Sequence, residues 1–506
     1  MEKRFLNNLR QNNWCTLLRV IWETKMNKFF LYNTLSREKQ EFEPADGKTV
    51  RLYTCGPTVY DFAHIGNFRA YVWEDVLRRW FEYKGWRVEQ VMNLTDVDDK
   101  TIAGAREHGI WLKEFTQKYS DEFFKDLAAL NIEKAEHYPK ATDHVPEMEE
   151  LIKTLLKKGV AYLSEDGSAY YNVRKFPEYG KLSHTKLGEL KPGARVSHDS
   201  YDKESASDFA LWKAWDAQDG DVYWQAEFGK GRPGWHIECS AMAMKYLGKT
   251  LDAHAGGVDL VFPHHENEIA QSEAGTGKPF SRFWLHCEHL LVNGRKMSKS
   301  LGNFYTLRDV LARGHSPAGV RWLLLAAHYR QQLNFTFEGL KGAEETVQKL
   351  VEFVERLEEA AKNSGVSERE GKKQDELIEQ IVVSAEKKFG AAMDDDLNTP
   401  HAISAVFELV REANKLLQEN SLSKKGAKTL LQSAKKFDKV FGVLEIARNE
   451  RSVSSQAREW VEQKIAERNA AREKKDFKKS DRIRKELAEK GIELQDMPQG
   501  TKWKKS

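Results

Sequence analysis

The stretch Val50–Arg69 constrains the fold more than any other part of the chain. A β-prone run, Val50–Cys55, ends in Gly56-Pro57, where proline lacks the amide hydrogen that a strand ladder needs. Beyond Gly66 the apolar residues Ala70, Trp73, Leu77, Trp80 and Phe81 recur at helical spacing, and a second short apolar run, Val88–Leu94, follows. Strand, loop, helix and strand in that order predict a parallel βαβ unit, because parallel neighbours need a crossover and a helix is the usual one. Open parallel sheets bind ligands at the carboxyl ends of their strands, and a helix N-terminus offers free N–H groups to phosphate. The loop Tyr53–Arg69 brings a thiol (Cys55), an imidazole (His64) and glycines to that end. It is neither the three-glycine dinucleotide fingerprint nor a Walker A loop, so a nucleotide must be held in another way.

A chain of 506 residues has room for two to four domains with large cores. Its 80 basic and 77 acidic residues nearly cancel, so any RNA-binding surface has to be local. Four cysteines, at 15, 55, 239 and 287, are too few and too scattered for a disulfide framework. A reducing cytoplasm is expected, with metal binding or chemistry as the use of some thiols. No apolar stretch approaches the roughly 18–20 residues that span a bilayer. Arg10 and Arg19 interrupt the early apolar region, so no secretory signal is expected.

Taken in order, residues 27–146 read as the first half of a sheet domain. The loop Asn93-Leu94-Thr95-Asp96-Val97-Asp98-Asp99-Lys100 at a strand end suits a capped helix start. Residues 147–228 turn to short strands with glycine, proline and serine, which implies an inserted subdomain. Gly229–Tyr305 is dense in motif. It holds Gly-Arg-Pro-Gly-Trp-His-Ile-Glu-Cys-Ser at 231–240, Asp252–Asp259, Phe262–Glu268 and a further strand over Phe283–Val292. Helical patterns dominate from 316 to about 450. Residues 451–506 are basic, with Arg468, Arg472, Lys474, Lys475, Lys478, Lys479, Arg482, Arg484 and Lys485 on one helical stretch. That run reads either as a solvated face or as an RNA surface, and Trp503 either as a stacking residue or as core.

Two short motifs carry a resemblance. His64-Ile65-Gly66-Asn67 is similar to the first signature of the class I aminoacyl-tRNA synthetases, usually His-Ile-Gly-His, and Lys296–Ser300 reads Lys-Met-Ser-Lys-Ser, the second signature, intact. Both in order, with Cys55 nine residues before His64, resemble the cysteinyl-tRNA synthetases, and the likeness runs from Phe29 to Trp503. Thr101-Ile102-Ala103-Gly104 departs from the family's usual Ile-Ile-x-Arg. The resemblance implies an α/β protein with a Rossmann-like parallel-sheet catalytic domain over 27–315. The insertion at 147–228 would split it and lie over the acceptor end of tRNA. An α-helical bundle domain at 316–450 and a small mixed α/β anticodon-binding module at 451–506 would follow. Residues 1–26 precede the family's usual opening and are read as a mis-called start, or as a targeting segment, against which Glu2 and Glu23 weigh.

The resemblance also assigns a site. Taken alone, a cysteine is usually a small buried hydrophobe and paired histidines often cap a helix. With the family match, Cys55, Cys239, His264 and Glu268 fall on zinc ligands, a donor set that zinc accepts. On a helix His264 and Glu268 would share one face. Zinc favours a thiolate, so an open position would accept cysteine and reject serine without an editing domain. Cys15 and Cys287 are read as structural. His64 and Asn67 are suited to donate to phosphates, and Lys296 and Lys299 to hold the departing β- and γ-phosphates. Gly66, Met297 and Ser298 complete the nucleotide contacts, with Gly256, Gly257 and Asp259 toward adenosine. Gly56, Thr95, Trp235 and His254 are placed around the amino acid. The implied reaction joins L-cysteine to tRNA(Cys) with ATP and Mg²⁺, in a cytoplasmic monomer without membrane contact. A cysteine ligase acting on an amino-sugar and a silent RNA-binding paralogue are the rivals. The basic 451–506 argues against the first, and the intact Lys296–Ser300 with a complete ligand set against the second.

Overall fold

The computed structural model describes residues 28–185, 208–363, 368–419, 421–474, 476–489, 492–497 and 500–505. The extension at 1–26, with Cys15, lies outside them, as do the side chains of Lys475 and Trp503.

Four parallel strands form the central sheet: β1 (Thr49–Thr54), β2 (Arg87–Met92), β3 (Leu251–Gly257) and β4 (Ser281–Cys287), in the order β4-β3-β1-β2. Helix α1 (Ile65–Tyr83) crosses from β1 to β2, α2 (Trp235–Leu247) precedes β3, and α3 (Glu266–Thr276) joins β3 to β4. The sheet grows one way from β1 to β2 and the other way from β1 to β3. The crevice at the carboxyl ends of β1 and β3 is thus the switch point where such sheets bind ligands. This is the Rossmann-like catalytic fold expected above.

Helix α1 is fixed at its start by a reciprocal cap: His64 Nδ1 accepts the Asn67 N–H, and Asn67 Oδ1 accepts the His64 N–H, both at 3.1 Å. Phe68, Val72, Val76, Leu77 and Trp80 bury its apolar stripe. Arg69, Asp75, Arg78 and Arg79 on the same helix are also buried, and each of these four has partners outside the helix. Arg69 donates to the carbonyls of Leu324, Ala327 and His328, closing the C-terminal end of the helix Pro317–Leu325. Asp75 pairs with Arg79 at 2.7 Å and with Arg321, whose guanidinium also donates to the Leu130 and Phe441 carbonyls.

Between β2 and β3 the chain builds a five-stranded antiparallel sheet from Ala161–Leu163, Ala169–Tyr171, Phe209–Ala214, Gly229–Pro233 and Trp224–Ala226, in that spatial order. Its strand Gly229–Pro233 leads straight into α2. Arg232 and Lys213 of this sheet both pair with Asp99, the first residue of the helix Asp99–His108 that follows β2. The strand expected over Phe283–Val292 is two strands. After Cys287 the Glu288 N–H bonds to the Tyr329 carbonyl at 2.8 Å, and Leu290–Val292 pairs instead with Leu333–Phe335 and Arg295–Lys296.

Long helices follow: Phe337–Asn363, Glu368–Asp394, Thr399–Gln418 and Lys424–Phe441. A second compact unit starts at Leu444. It consists of the helices Leu444–Glu473 and Phe477–Glu489 and a hairpin, Ile492–Met497 with Gly500–Lys505. Val461, Ile465, Ile483, Leu487 and Ile492 form its core. Of its basic residues Arg468 is buried, while Lys478, Lys479, Arg482, Arg484 and Lys485 are exposed.

Candidate active site and metal centre

At the carboxyl end of the sheet, Cys55 follows β1, Cys239 lies in the second turn of α2, and His264 and Glu268 flank the start of α3. One donor atom from each of these four buried residues lies within 4.8 Å of all the others. His264 Nε2 and Glu268 Oε1 are 2.9 Å apart, yet Oε1 has no hydrogen-bond partner among the described residues. Donor atoms converging from four buried side chains are the arrangement that ligands to one cation take. His264 Nδ1 meets His236 Nδ1 at 2.9 Å, and Glu268 Oε2 meets His254 Nε2 at 2.9 Å. Both ligands are thereby oriented from behind. Cys55 Sγ also lies 3.3 Å from His265 Nε2. A second quartet, Cys55, His254, His265 and Glu268, therefore overlaps the first.

Charge distinguishes the quartets. Burial pushes the Cys55 thiol up. Burial also opposes ionising Cys239, but hydrogen bonding from Cys55 and the nearby His264 bring it down to about 6. His264, against its burial, is raised to about 10 by Glu268 and Cys239, while Glu268 is brought to about 2 by His254 and His264. Burial drives His265 the other way, and His286, 2.9 Å from its Nδ1, falls to about 3. The first quartet thus holds an ionisable thiol, a carboxylate and a protonated imidazole whose proton a dication can replace. The second has only one sulfur, and its His265 is tied to His286.

The end expected to meet the nucleotide lies at the start of α1. Burial lowers His64, so its ring is neutral at pH 7. With Nδ1 accepting from Asn67, the ring proton sits on Nε2 as a donor for a ligand. A Cβ at Gly66 would come within 3.0 Å of both the His64 ring and the Met297 methyl, so this close approach needs glycine. The Lys296–Ser300 loop is closed against this helix: the Ile65 N–H bonds to the Tyr305 carbonyl at 3.0 Å. Asn303 holds the loop from inside, through the Ser298 N–H at 2.9 Å and the Lys296 carbonyl at 3.1 Å. Gly256 and Gly257 end β3, and Asp259 is exposed in the turn after them.

Comparison with known proteins identifies the family. Residues 41–345 match the family model "tRNA synthetases class I (C) catalytic domain", and residues 388–445 match "DALR domain". A cysteine–tRNA ligase of Protochlamydia amoebophila is 50% identical over 478 residues, covering 94% of this chain and 97% of the relative. The chain belongs to the cysteine–tRNA ligase family. A cysteine–tRNA ligase of Brachyspira hyodysenteriae is 46% identical, covering 95% of this chain and 100% of its own length. Among solved structures, a Mycobacterium tuberculosis methionyl-tRNA synthetase in complex with methionyl-adenylate matches with a TM-score of 0.58. It is 16% identical and covers 79% of this chain and 90% of its own, a likeness of fold.

In this cysteine–tRNA ligase family member, the residues expected around the amino acid fall into two groups. Thr95 donates to Glu238 Oε2 at 2.9 Å and accepts from Asn93 Nδ2 at 3.1 Å, while Asn93 Oδ1 accepts the Gly56 N–H at 2.8 Å. Gly56 adjoins Cys55 and Glu238 adjoins Cys239, so this relay connects the two candidate ligands that follow β1 and lie on α2. Trp235, 42% exposed, stacks on His264 with ring centroids 4.3 Å apart. His254 is wholly buried and bonded to Glu268, stacked on Trp284 at 4.6 Å. The sequence reading did not single out His236, Glu238, His265, His286 or Asn93. Some signal existed: His236 and Cys239 are three apart on one helix, and His286 alternates with Trp284 on one strand face. Cys287 lies buried, with its thiol pushed up to about 12 by burial, as befits a structural cysteine.

Proposed function

We propose that this chain joins L-cysteine to tRNA(Cys) in two steps. The amino-acid carboxylate attacks the α-phosphorus of ATP and pyrophosphate leaves. A terminal ribose hydroxyl of the tRNA then takes the cysteinyl group and AMP leaves. One observation carries this reading: a buried two-thiol quartet opens beside both nucleotide loops at the switch point of the sheet.

His64 Nε2–H and the Asn67 side-chain amide donate to the phosphates as charge builds there, and the positive end of the α1 dipole adds to them. Asn67 brings a donor without a charge. Lys296 and Lys299 take the β- and γ-phosphates, which arrive with Mg²⁺. Gly256, Gly257 and Asp259 receive the adenosine, with Met297 and Ser298 lining the closed loop. Gly56, Thr95 and Trp235 orient the amino acid, and His254 acts from behind through Glu268. Cys55, Cys239, His264 and Glu268 would hold zinc, which when bound supplies a soft Lewis-acid position favouring a thiol over an alcohol. The unit from Leu444 is assigned to the anticodon, its exposed lysines and arginines meeting phosphates. The working form is read as a cytoplasmic monomer. Among the described residues no helix is long and apolar enough to cross a membrane.

The deciding experiment is charging of unfractionated tRNA with labelled cysteine, with serine in parallel and a chelator control. Cysteine charging that is lost on chelation supports amino acid, acceptor and metal together. Cysteine-dependent pyrophosphate exchange without charging moves the acceptor to a small amine such as an amino-sugar. Absence of both, with metal bound, leaves an RNA-binding paralogue.

A further inference from the structure

Lys299 is already engaged. Its Nζ lies 2.7 Å from Asp61 Oδ2 and 5.1 Å from the centre of the Phe304 ring, which stands edge-on to His64 at 5.2 Å. Asp61 is three residues before His64, in the loop between β1 and α1, so its carboxylate sits at the phosphate end of that helix. A carboxylate is out of place there, since a helix N-terminus is an anion site and a second anion repels the first. Its other oxygen accepts the Phe62 N–H at 2.8 Å, which fixes it in the loop. Closure of the Lys296–Ser300 loop does not depend on Asp61. Asn303, the Tyr305 carbonyl and the Met297–Gly66 approach already hold it. What Asp61 holds is the ammonium.

We propose that Asp61 is a positioning residue that parks Lys299 in the nucleotide-free enzyme, competes with the incoming phosphates for its ammonium, and reclaims it as pyrophosphate leaves. This rests on the reading of Lys299 as a phosphate ligand. The two side chains are 66% and 34% exposed, so the pair is weak enough for a polyphosphate to displace. It is also short enough to keep a flexible lysine from wandering between turnovers. The same competition that costs some ATP affinity loosens the grip on pyrophosphate after the reaction.

Calorimetric binding of Mg²⁺–ATP and of Mg²⁺–pyrophosphate to the wild type, Asp61→Asn, Asp61→Glu, Lys299→Ala and the Asp61→Asn/Lys299→Ala double variant tests this. Asp61→Asn should tighten both ligands about three-fold, the scale of an exposed ion pair. Asp61→Glu should restore wild-type values, and the tightening should vanish when Lys299 is alanine. In cysteine-dependent exchange the KM for ATP should fall by the same factor while kcat holds. Unchanged binding in Asp61→Asn would make the pair inert. Equal tightening without Lys299 would mean that the carboxylate repels phosphate directly and parks nothing. Weaker binding would put Asp61 in the productive state. Each of these overturns the proposal. A wild type that binds ATP but shows no cysteine-dependent exchange sinks the proposed function instead, because the binding arms report on Asp61 without it.

Discussion

At Gly56 the backbone passes so close to Asn93 that a Cβ would land on the Asn93 carbonyl oxygen, and the Gly56 N–H is held by the same residue's side chain. One missing methyl therefore lets Cys55 sit beside Cys239. Single atoms decide at the second thiol as well. In Cys239→Ser a hard, poorly ionised oxygen replaces the sulfur, so bound zinc measured by atomic absorption should fall well below one per chain, with cysteine-dependent exchange falling alongside. Glu74 on α1 is a different case. It is 1% exposed, and neither carboxylate oxygen has a hydrogen-bond partner among the described residues. Burial alone raises its pKa to about 8. A carboxyl raised on folding costs stability as pH rises from its unfolded value to its folded one. The penalty should grow between pH 4.5 and 8, reach about 3 kcal/mol at pH 7, and level off above. Denaturant titrations of wild type and Glu74→Gln across that window should diverge with this slope; parallel curves would show that Glu74 is ionised in the fold. Nothing in the sequence flagged Glu74, because a glutamate in a helix is ordinarily a solvated face.

Among the elements, α1 does the most. Its N-terminus is the proposed nucleotide end, its apolar stripe packs the sheet, and its buried charges reach the helical region. The apolar spacing was legible from Ala70, Trp73, Leu77, Trp80 and Phe81. The charges were not, since Asp75 meets Arg321, 246 positions further along the chain, only once the chain is folded. Burial works to raise Asp75, but Arg321 and Arg79 outweigh it and hold the carboxyl below its ordinary range. Its contribution is therefore present at neutral pH and lost as pH falls below about 4, through the depressed native value. Asp75→Asn leaves Arg321 buried without a counter-charge and should cost about 3–5 kcal/mol. Urea unfolding at pH 7 measures that loss, and at pH 3 the difference from wild type should shrink.

Across the whole molecule, the catalytic chemistry belongs to the unit ending at Val443 and the basic surface to the unit beginning at Leu444. A chain ending at Val443 should keep cysteine-dependent pyrophosphate exchange and lose tRNA charging by more than an order of magnitude. Equal loss of both would place part of the catalytic machinery beyond that point. The sequence by itself determined the class of sheet and the order of the segments, and the resemblance carried by its two short motifs implied both nucleotide loops and the four ligand candidates. These are local patterns, written in consecutive residues or in motifs short enough to recognise. Tertiary structure alone decided that Cys55 and Cys239 come together, that His254 stands behind Glu268, that His236 meets His264 and His265 meets Cys55 with His286 behind it, and that Lys299 rests on Asp61. Each of those hydrogen-bonded contacts joins residues that lie 14 to 238 positions apart in the chain. Distance along the sequence carries no information about which buried polar group will answer another; only the packed sheet, by removing water, forces them to find each other.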